Sequence, residues 1–253
     1  MIAYPQLANG VVSQYPVRKR RRQRTVVNRA ADGSSIRLAD PAGEVTEWVL
    51  EYSELSDDEL AALREFFISA RGTLNGFTFL DPTANLLAWS EDLANTVWQK
   101  GPFLTVSSET GSWHLTNSGG GPQVLSQTIA APGDYVYCFS IYARSAVAVE
   151  MSMGIGTLRA VRLVSDTWSK LTLAGKGETG AESVSFVMEV PAAVALDVRG
   201  IQAEAQPGAS VYKVSSRGGV YEGARFADDA LTVVTTSPDR HSCRVKITHV
   251  NHL

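Results

Sequence analysis

The feature that most constrains the fold of this chain is a long series of short β-like segments in its middle. From Asn85 to Ser215, runs such as QVLSQTIA, DYVYCFSIYARS, WSKLTLAG and SVSFVMEV alternate with turns rich in Gly, Ser, Asn and Pro, and no strong helical pattern interrupts them. Many short strands separated by turn residues are typical of an antiparallel sandwich. The sequence therefore predicts a β-sandwich over residues 85–215.

The regions on either side of this series each contain part of a β structure. The N-terminal region has the strand-like runs TVVN, SIRL and EVTEWVLEY, and then one helix whose start is marked by Ser56 and, three residues later, Glu59. The final region contributes only RFADDALTVVTT and HSCRVKITHV, and a lone pair of strands is marginal in water. We therefore predict a mainly β chain in which residues 1–84 and 216–253 form one discontinuous domain around an inserted sandwich of residues 85–215.

The composition excludes several kinds of protein. Hydrophobic residues make up 44% of the 253-residue chain and charged residues 19%, which is typical of a globular protein with an apolar core. The formal net charge of −3 argues against a chain built as a whole for nucleic acid or an anionic membrane. No apolar run approaches the roughly 20 residues of a membrane helix. The N-terminus MIAYPQLANGVV lacks the pattern of a signal peptide.

The strongest local charge is the run RKRRRQR, which contains a single uncharged residue. Three interpretations stay open: a solvated arm, a surface that docks on an acidic neighbouring subunit, and a DNA contact through released counterions. The run lacks the interleaved aromatic residues of single-strand binders, so we favour docking over DNA. The predicted interface residues are Arg18, Lys19, Arg20, Arg21, Arg22 and Arg24, and the acidic edge predicted to face them comprises Asp57, Asp58, Glu59, Asp228 and Asp229.

No pattern of residues indicates catalysis. Three histidines lie near the C-terminus without an HExxH or a cysteine motif, there is no GxSxG, and SGGGPQ is interpreted as a turn rather than a phosphate loop. We interpret His249 and His252 as exposed terminal residues rather than a metal site. Cys138 and Cys243 are predicted to be buried thiols, in a protein made in a reducing cytoplasm. We therefore expect no enzyme activity, no catalytic residue, no cofactor and no metal.

Sugar binding needs an aromatic platform with hydrogen-bonding groups around it. In DYVYCFSIYARS the more apolar strand face is predicted to be core, and the opposite face carries Tyr142 and Arg144. The tryptophans of NLLAWSEDLANTVWQK, Trp89 and Trp98, are interpreted first as a staple between an opening loop and the core, with sugar contact as the alternative. Core remains the default for each aromatic residue. The glycan-binding candidates are Trp89, Trp113, Tyr142 and Arg144.

Two sets of motifs resemble known families. The strand EVTEWVLEY, the capped helix SDDELAALREFFISARG and the strand GFTFLDP, with RFADDALTVV and CRVKI near the C-terminus, resemble the ring-forming distal tail and minor tail proteins of long-tailed phages and gene transfer agents. The middle resembles the jelly-roll carbohydrate-binding-like modules often inserted in phage tail proteins. The motifs that carry this second resemblance are NLLAWSEDLANTVWQK, YCFSIYARS, TWSKLTLAG and VRGIQAEAQPGASVY, in that order.

The resemblance implies a structural component of a phage tail tip or baseplate. It would form a homo-oligomeric ring, expected to be a hexamer, that joins the tail tube to the baseplate hub. The inserted jelly roll would project outward and offer a surface to host polysaccharide. The expected location is the tail tip of the virion, after synthesis in the host cytoplasm, with tail-tube and tail-tip proteins as partners and no membrane insertion. Two alternatives stay open: a carbohydrate-binding accessory subunit of a tail-associated depolymerase, and a DNA-contacting neck or minor capsid protein.

Overall fold

The computed structural model describes residues 2–250, except the side chains of residues 41 and 42. Within this part the chain is mainly β, as predicted, with antiparallel sheets and one helix. The elements, in chain order, are β1 (Val17–Arg29), β2 (Ser35–Leu55), α1 (Asp57–Ala70), β3 (Phe77–Leu80), β4 (Gln99–Lys100), β5 (Leu104–Glu109), β6 (Ser112–Asn117), β7 (Gln123–Ile129), β8 (Val136–Arg144), β9 (Val149–Ile155), β10 (Leu158–Val164), β11 (Ser169–Lys176), β12 (Val184–Val190), β13 (Ala195–Glu204), β14 (Val220–Phe226), β15 (Val233–Ser237) and β16 (Arg240–Val250). Among the described residues, no helix has the length and apolar character needed to span a membrane.

The chain divides into two compact units, each made of segments that are distant in sequence. The sandwich unit comprises Gln6–Val12 and Leu80–Val220. The split unit comprises Ile2–Pro5, Ser13–Phe79 and the described residues from Tyr221 onward. Each unit is described below by itself.

The segment Gln6–Val12 is the main difference from the predicted division, which assigned all of residues 1–84 to the discontinuous domain. Gln6 Nε2 donates to the carbonyl of Val136 at 2.9 Å, and Gln6 Oε1 accepts from the amide of Val136 at 2.8 Å. Leu7 in the same segment is buried. The segment carries no helix or strand periodicity, and its partner lies 130 positions away. Local sequence patterns therefore could not assign it.

The split unit is built on one sheet with the strand order β1-β2-β16-β14-β3, and β15 also pairs with β16. Strand β1 lies at an edge of this sheet. The pairing of β2 with β16 is described as far as Val45 and Val250. Beyond that pair, β1 and β2 continue together as a hairpin that ends in the turn between Arg29 and Ser35. The basic run predicted from the sequence therefore lies within an edge strand.

Helix α1 begins where the sequence predicts. The Ser56 hydroxyl accepts from the amide of Glu59 at 3.2 Å, and the Glu59 carboxylate accepts from the amide of Ser56 at 3.1 Å. This reciprocal capping box satisfies two donors that a helix start leaves unpaired. At the other end Arg71 takes a left-handed conformation, with φ of 53°, and stops the helix. The buried face of α1 places the Phe66 ring 5.4 Å from the ring of Tyr4.

The sandwich unit contains two five-stranded antiparallel sheets, ordered β10-β9-β12-β7-β4 and β11-β8-β13-β6-β5. Between β6 and β13 the chain distributes eight strands over both sheets, so that β6-β13-β8-β11 faces β7-β12-β9-β10. This is the strand order of a jelly roll. The core lies between the sheets, where the rings of Tyr137 and Phe139 are 5.7 and 5.6 Å from the Phe186 ring of the opposite sheet.

Both cysteines are free and buried, as the sequence predicts. Burial, with a smaller contribution from the nearby Glu204 carboxylate, raises the pKa of the Cys138 thiol to about 11. Burial also raises the pKa of Cys243 to about 11. Because the thiolate is the reactive form, both residues are poor nucleophiles at neutral pH.

The opening stretch NLLAWSEDLANTVWQK is bound to the closing end of the sandwich unit. Asn85, which is buried, donates from Nδ2 to the carbonyl of Ile201 at 2.9 Å and accepts at Oδ1 from the amide of Ala203 at 3.0 Å. Just before the opening stretch, the amide of Asp81 donates to the carbonyl of Gly219 at 2.8 Å. The amide of Gly219 in turn donates to the carbonyl of Asn85, also at 2.8 Å. The chain therefore enters and leaves this unit at adjacent points, as an inserted domain requires. That the unit folds on its own remains our proposal.

Candidate functional site

The outward face of the β11-β8-β13-β6-β5 sheet has a covered part and an open part. In the covered part, Gln202 and Glu204 are buried and hydrogen-bond to Ser210, in the segment that follows β13. We call the open part the open face. It carries the side chains of His114 on β6, Tyr142 and Arg144 on β8, Asp197 and Arg199 on β13, and Lys170 on β11, with Trp168 immediately before β11.

Strand alternation places these residues on the open face. On β8, Phe139 and Ile141 are fully buried and point into the core, so Tyr142 and Arg144 point outward. This is the facing that the sequence predicts for the two residues. The alternation of β13 shifts after Arg199, where the register with β8 changes.

The shift in β13 occurs at a glycine that two aromatic rings enclose. Gly200 has φ of 61°, a left-handed conformation that glycine adopts at little cost. A Cβ at this position would lie 3.2 Å from Cδ2 of Tyr142 and 3.5 Å from Cγ of Tyr212. A larger residue at position 200 would therefore push the two rings apart.

Cationic side chains lie over the aromatic rings of the open face. The guanidinium of Arg199 is 4.4 Å from the ring centroid of Trp168 and 5.7 Å from that of Tyr142. The guanidinium of Arg144 is 4.9 Å from the Trp168 ring. Lys170 Nζ is 5.8 Å from the Tyr142 ring. These distances are those of cation–π contacts, which hold flexible basic side chains in place.

Asp197 links β6, β8 and β13 through both carboxylate oxygens. One oxygen lies 2.7 Å from Nδ1 of His114, and the other accepts from Nε of Arg144 at 2.8 Å. Partial burial raises the pKa of Asp197, but the hydrogen bonds and charges of His114 and Arg144 outweigh it and hold this pKa below its ordinary value of 3.8. Glu109 lies close enough to His114 and Asp197 for the three to hold a cation. However, both Asp197 oxygens already have partners.

The structure separates the two remaining glycan-binding candidates. Trp113 lies half-buried at the rim of the sheet, where its Nε1 donates to the carbonyl of Glu91 at 3.3 Å, and the Glu91 carboxylate accepts from the hydroxyl of Tyr212. Trp89 is exposed in the opening loop, and its carbonyl accepts from Nε1 of Trp98 at 3.0 Å. Because Trp98 is buried, it forms the staple that the sequence analysis favoured. Trp89 stays a candidate on exposure alone.

The basic run of the split unit is largely paired within the chain. Carboxylates of β2 lie opposite β1, and they approach four of the arginines: Arg18 contacts Glu51 at 3.8 Å, Arg21 contacts Glu44 at 2.5 Å, Arg22 contacts Glu47 at 2.8 Å and Arg24 contacts Asp40 at 2.6 Å. Lys19 lies over the rings of Trp48 and Tyr221, each at 5.6 Å. Arg20 has no side-chain partner in the part of the chain that the structure describes. Carboxylates of β2 therefore balance more of the positive charge of the run than its sequence alone suggests.

The predicted acidic edge is also mostly engaged within the split unit. Asp57 accepts from His241 at 2.7 Å, Asp228 pairs with Lys246 at 3.0 Å, and Asp229 accepts from the amide of Thr73 at 2.7 Å. Glu59 caps the helix, as described above. Asp58 is exposed, and among the described residues its carboxylate has no partner.

The C-terminal histidines are only partly described. His249 Nε2 lies 2.9 Å from the carbonyl of Glu222, and its ring is 5.2 Å from the ring of Tyr221. His252 lies outside the described residues, so the predicted terminal pair stays a prediction.

Sequence reasoning missed Trp168, Arg199, Asp197 and His114 as parts of one surface. Alternation in ALDVRG does indicate the facing of two of them. Leu196 and Val198 are core residues, so Asp197 and Arg199 must point outward. The partners of β13 in the sheet could not be inferred locally, since β6 and β8 are distant in sequence.

Comparisons with known proteins give matches only among solved structures. No protein-family profile and no curated protein matches the chain. Similar solved structures include the C-terminal family 22 carbohydrate-binding module of Clostridium thermocellum Xyn10B, with 13% identity over 52% of this chain and 99% of that one and a TM-score of 0.41. TmCBM61 in complex with β-1,4-galactotriose has 15% identity over 48% of this chain and 98% of that one, with a TM-score of 0.38. The enzymatically active domain of tailspike protein 4 of bacteriophage CBA120 has 14% identity over 50% of this chain and 22% of that one, with a TM-score of 0.38.

Proposed function

We propose that the open face binds carbohydrate, and that the chain is a non-catalytic structural component of a phage or phage-like tail tip. The observation that best supports binding is the grouping of aromatic rings with fixed polar groups on one accessible sheet face. Sugars offer apolar C–H faces to rings and hydroxyl groups to charged or planar hydrogen-bonding groups. Trp168 and Tyr142 supply the rings, and Asp197, Arg144 and Arg199 supply the polar groups.

Replacing Trp168 by alanine is expected to weaken retention of the full chain on arrayed bacterial polysaccharides by about tenfold. Tryptophan is enriched among the interface residues whose truncation costs about 2 kcal/mol or more, and about 1.4 kcal/mol is a tenfold change. The chain should be presented at high surface density, because contacts of a single shallow site are weak and avidity multiplies them. Phe103→Ala is the matched control, since Phe103 is an exposed aromatic residue outside the open face. Equal retention of the two variants would contradict the assignment.

The tail-tip part of the proposal is supported by the hairpin of β1 and β2. Beyond the described pairing with β16, the hairpin exposes apolar side chains, including Ile36 at 61% and Leu38 at 50%. A two-stranded ribbon is marginal in water, and an unpaired edge strand can pair with another chain. We therefore propose that the hairpin is covered by a neighbouring subunit in a homo-oligomeric ring. Sixfold symmetry, the tail tube and the baseplate hub as partners, and a location at the virion tail tip are parts of the same proposal.

The alternative of a DNA-contacting neck or minor capsid protein is less well supported. Four arginines of the basic run already contact carboxylates of β2, and phosphates would have to displace them. The alternative of an accessory subunit of a tail-associated depolymerase uses the same open face. It differs only in requiring a catalytic partner, which copurification from infected cells would reveal.

A further inference from the structure

We infer that the open face selects glycans that carry carboxylate groups, and that Arg199 is the residue that binds the carboxylate. This inference rests on the proposed carbohydrate binding. It concerns one end of the face, which we call the basic end: Trp168, Lys170, Tyr142 and Arg199.

The charges of the open face are separated across the sheet. The sheet order β11-β8-β13-β6-β5 puts Lys170 near one edge and Glu109 at the other. Asp197 lies between them, where its carboxylate forms an ion pair with Arg144 and a hydrogen bond with His114. The basic end therefore presents positive charge that these carboxylates do not balance.

Arg199 is the cation of the basic end that is available to a ligand. Lys170 Nζ donates to the carbonyl of Ser210 at 2.8 Å, and Arg144 Nε donates to Asp197. In the part of the chain that the structure describes, the side chain of Arg199 has no hydrogen bond and no ion pair. It is exposed, and its contacts are with the rings of Trp168 and Tyr142.

The position of Arg199 over the two rings suits recognition of a carboxylate. Its N–H groups have no acceptor among the described residues, while the contacts with the rings restrict the motion of the side chain. The planar fork of five N–H donors matches the two oxygens of a carboxylate in a bidentate contact. An acidic sugar could place its ring against Trp168 or Tyr142 and its carboxylate against Arg199. A neutral sugar would leave the positive charge of the basic end without a counter-charge.

The inference is tested with polysaccharides that differ only in the charge of the carboxyl group. Polygalacturonate and alginate are compared with their esterified, uncharged forms in affinity electrophoresis of the full chain. Arg199→Gln is expected to weaken binding of the acidic polymers by about tenfold, because hydrogen bonds to charged groups are stronger than neutral ones. Arg199→Lys keeps the charge but loses the planar fork of donors. Its binding of the acidic polymers should therefore lie between that of the original chain and that of Arg199→Gln. Arg217→Gln is the matched control, since Arg217 is exposed in the same unit and the substitution changes the net charge equally.

Several outcomes would overturn the inference and leave the proposed function in place. These are equal binding of the acidic and esterified polymers, an equal loss of binding in Arg199→Gln and Arg217→Gln, or stronger binding of sulfated polymers than of carboxylated ones. The inference is supported if the chain binds the acidic form of these polymers and this binding is weakened by Arg199→Gln but not by Arg217→Gln. Absence of binding to acidic, esterified and neutral arrayed glycans alike would instead overturn the proposed function. Unchanged melting temperatures of the variants exclude misfolding as the cause.

Discussion

Replacing Glu204 by alanine is expected to lower the free energy of unfolding of the sandwich unit by about 3 kcal/mol. The Glu204 carboxylate is buried at the end of β13. It accepts from Nζ of Lys213 at 2.7 Å, from the amide of Ser210 at 2.8 Å and from Nε2 of Gln202 at 2.8 Å. Its removal leaves the largely buried ammonium group of Lys213 without its counter-charge and releases the segment after β13 that lies over the covered part of the sheet.

The contribution of Glu204 should also depend on pH. Burial raises the pKa of this carboxyl, but the hydrogen bonds from Lys213 and Ser210 outweigh burial and hold the pKa below its ordinary value of 4.5. A lowered pKa in the folded state means that the stabilisation is fully present above about pH 4.5 and is lost as the pH falls through the folded value. The original chain should therefore lose stability below this pH, and Glu204→Ala should show a flatter dependence.

Urea unfolding followed by hydrogen-exchange mass spectrometry can check both expectations, because it reports peptides of the sandwich unit separately. Glu189→Ala is the matched control. Glu189 lies on β12 with a partly exposed side chain, and its ion pair with Arg159 is longer, at 3.5 Å. Exposed pairs of this kind contribute about 0 to 1 kcal/mol. If the two variants lost equal stability, the described role of the Glu204 network would be wrong.

Reversing the charge of Arg20 is expected to weaken ring assembly, and reversing Asp58 as well is expected to restore it. Arg20 belongs to the predicted basic edge and Asp58 to the predicted acidic edge, and the side chain of each lacks a partner among the described residues. In a closed ring every subunit presents the same two edges to its neighbours, so each such pair is repeated around the ring. Close charge pairs at interfaces have measured couplings of about 1.5 kcal/mol or more. Arg20→Asp or Asp58→Arg alone should thus raise the concentration needed for assembly by about tenfold.

Sedimentation velocity across a concentration series measures this effect. The original chain should form a closed oligomer, six times the 27.2 kDa chain if the expected symmetry holds. Arg64→Asp is the control, because Arg64 is exposed on α1 of the same unit and belongs neither to the hairpin nor to either predicted edge. A double variant that assembles no better than either single one would exclude the pairing of Arg20 with Asp58. A chain that stays monomeric at all concentrations would count against the ring itself.

The fold was predictable from the sequence where local patterns carry the information. The capping residues Ser56 and Glu59 marked the helix start, and alternation in β8 separated core residues from Tyr142 and Arg144. The same logic failed where the partner is distant. The acidic residues of β2 that pair with the basic run, the docking of Gln6–Val12 and the meeting of β13 with β6 and β8 all depend on registers between remote segments. Hence the open face could be predicted in parts but not as one surface.

The most direct test of the central claim, that the open face is the carbohydrate-binding surface, is hydroxyl-radical footprinting of the full chain with and without a bound polysaccharide. The tryptophans report on separate places: Trp168 on the open face, Trp113 at its rim, Trp89 in the opening loop, and Trp48 and Trp98 in buried positions. We expect the ligand to protect Trp168 and Tyr142 from oxidation, while Trp89 stays as reactive as in the free chain. Protection of Trp89 with unchanged reactivity of Trp168 would place the binding surface at the opening loop and contradict the account.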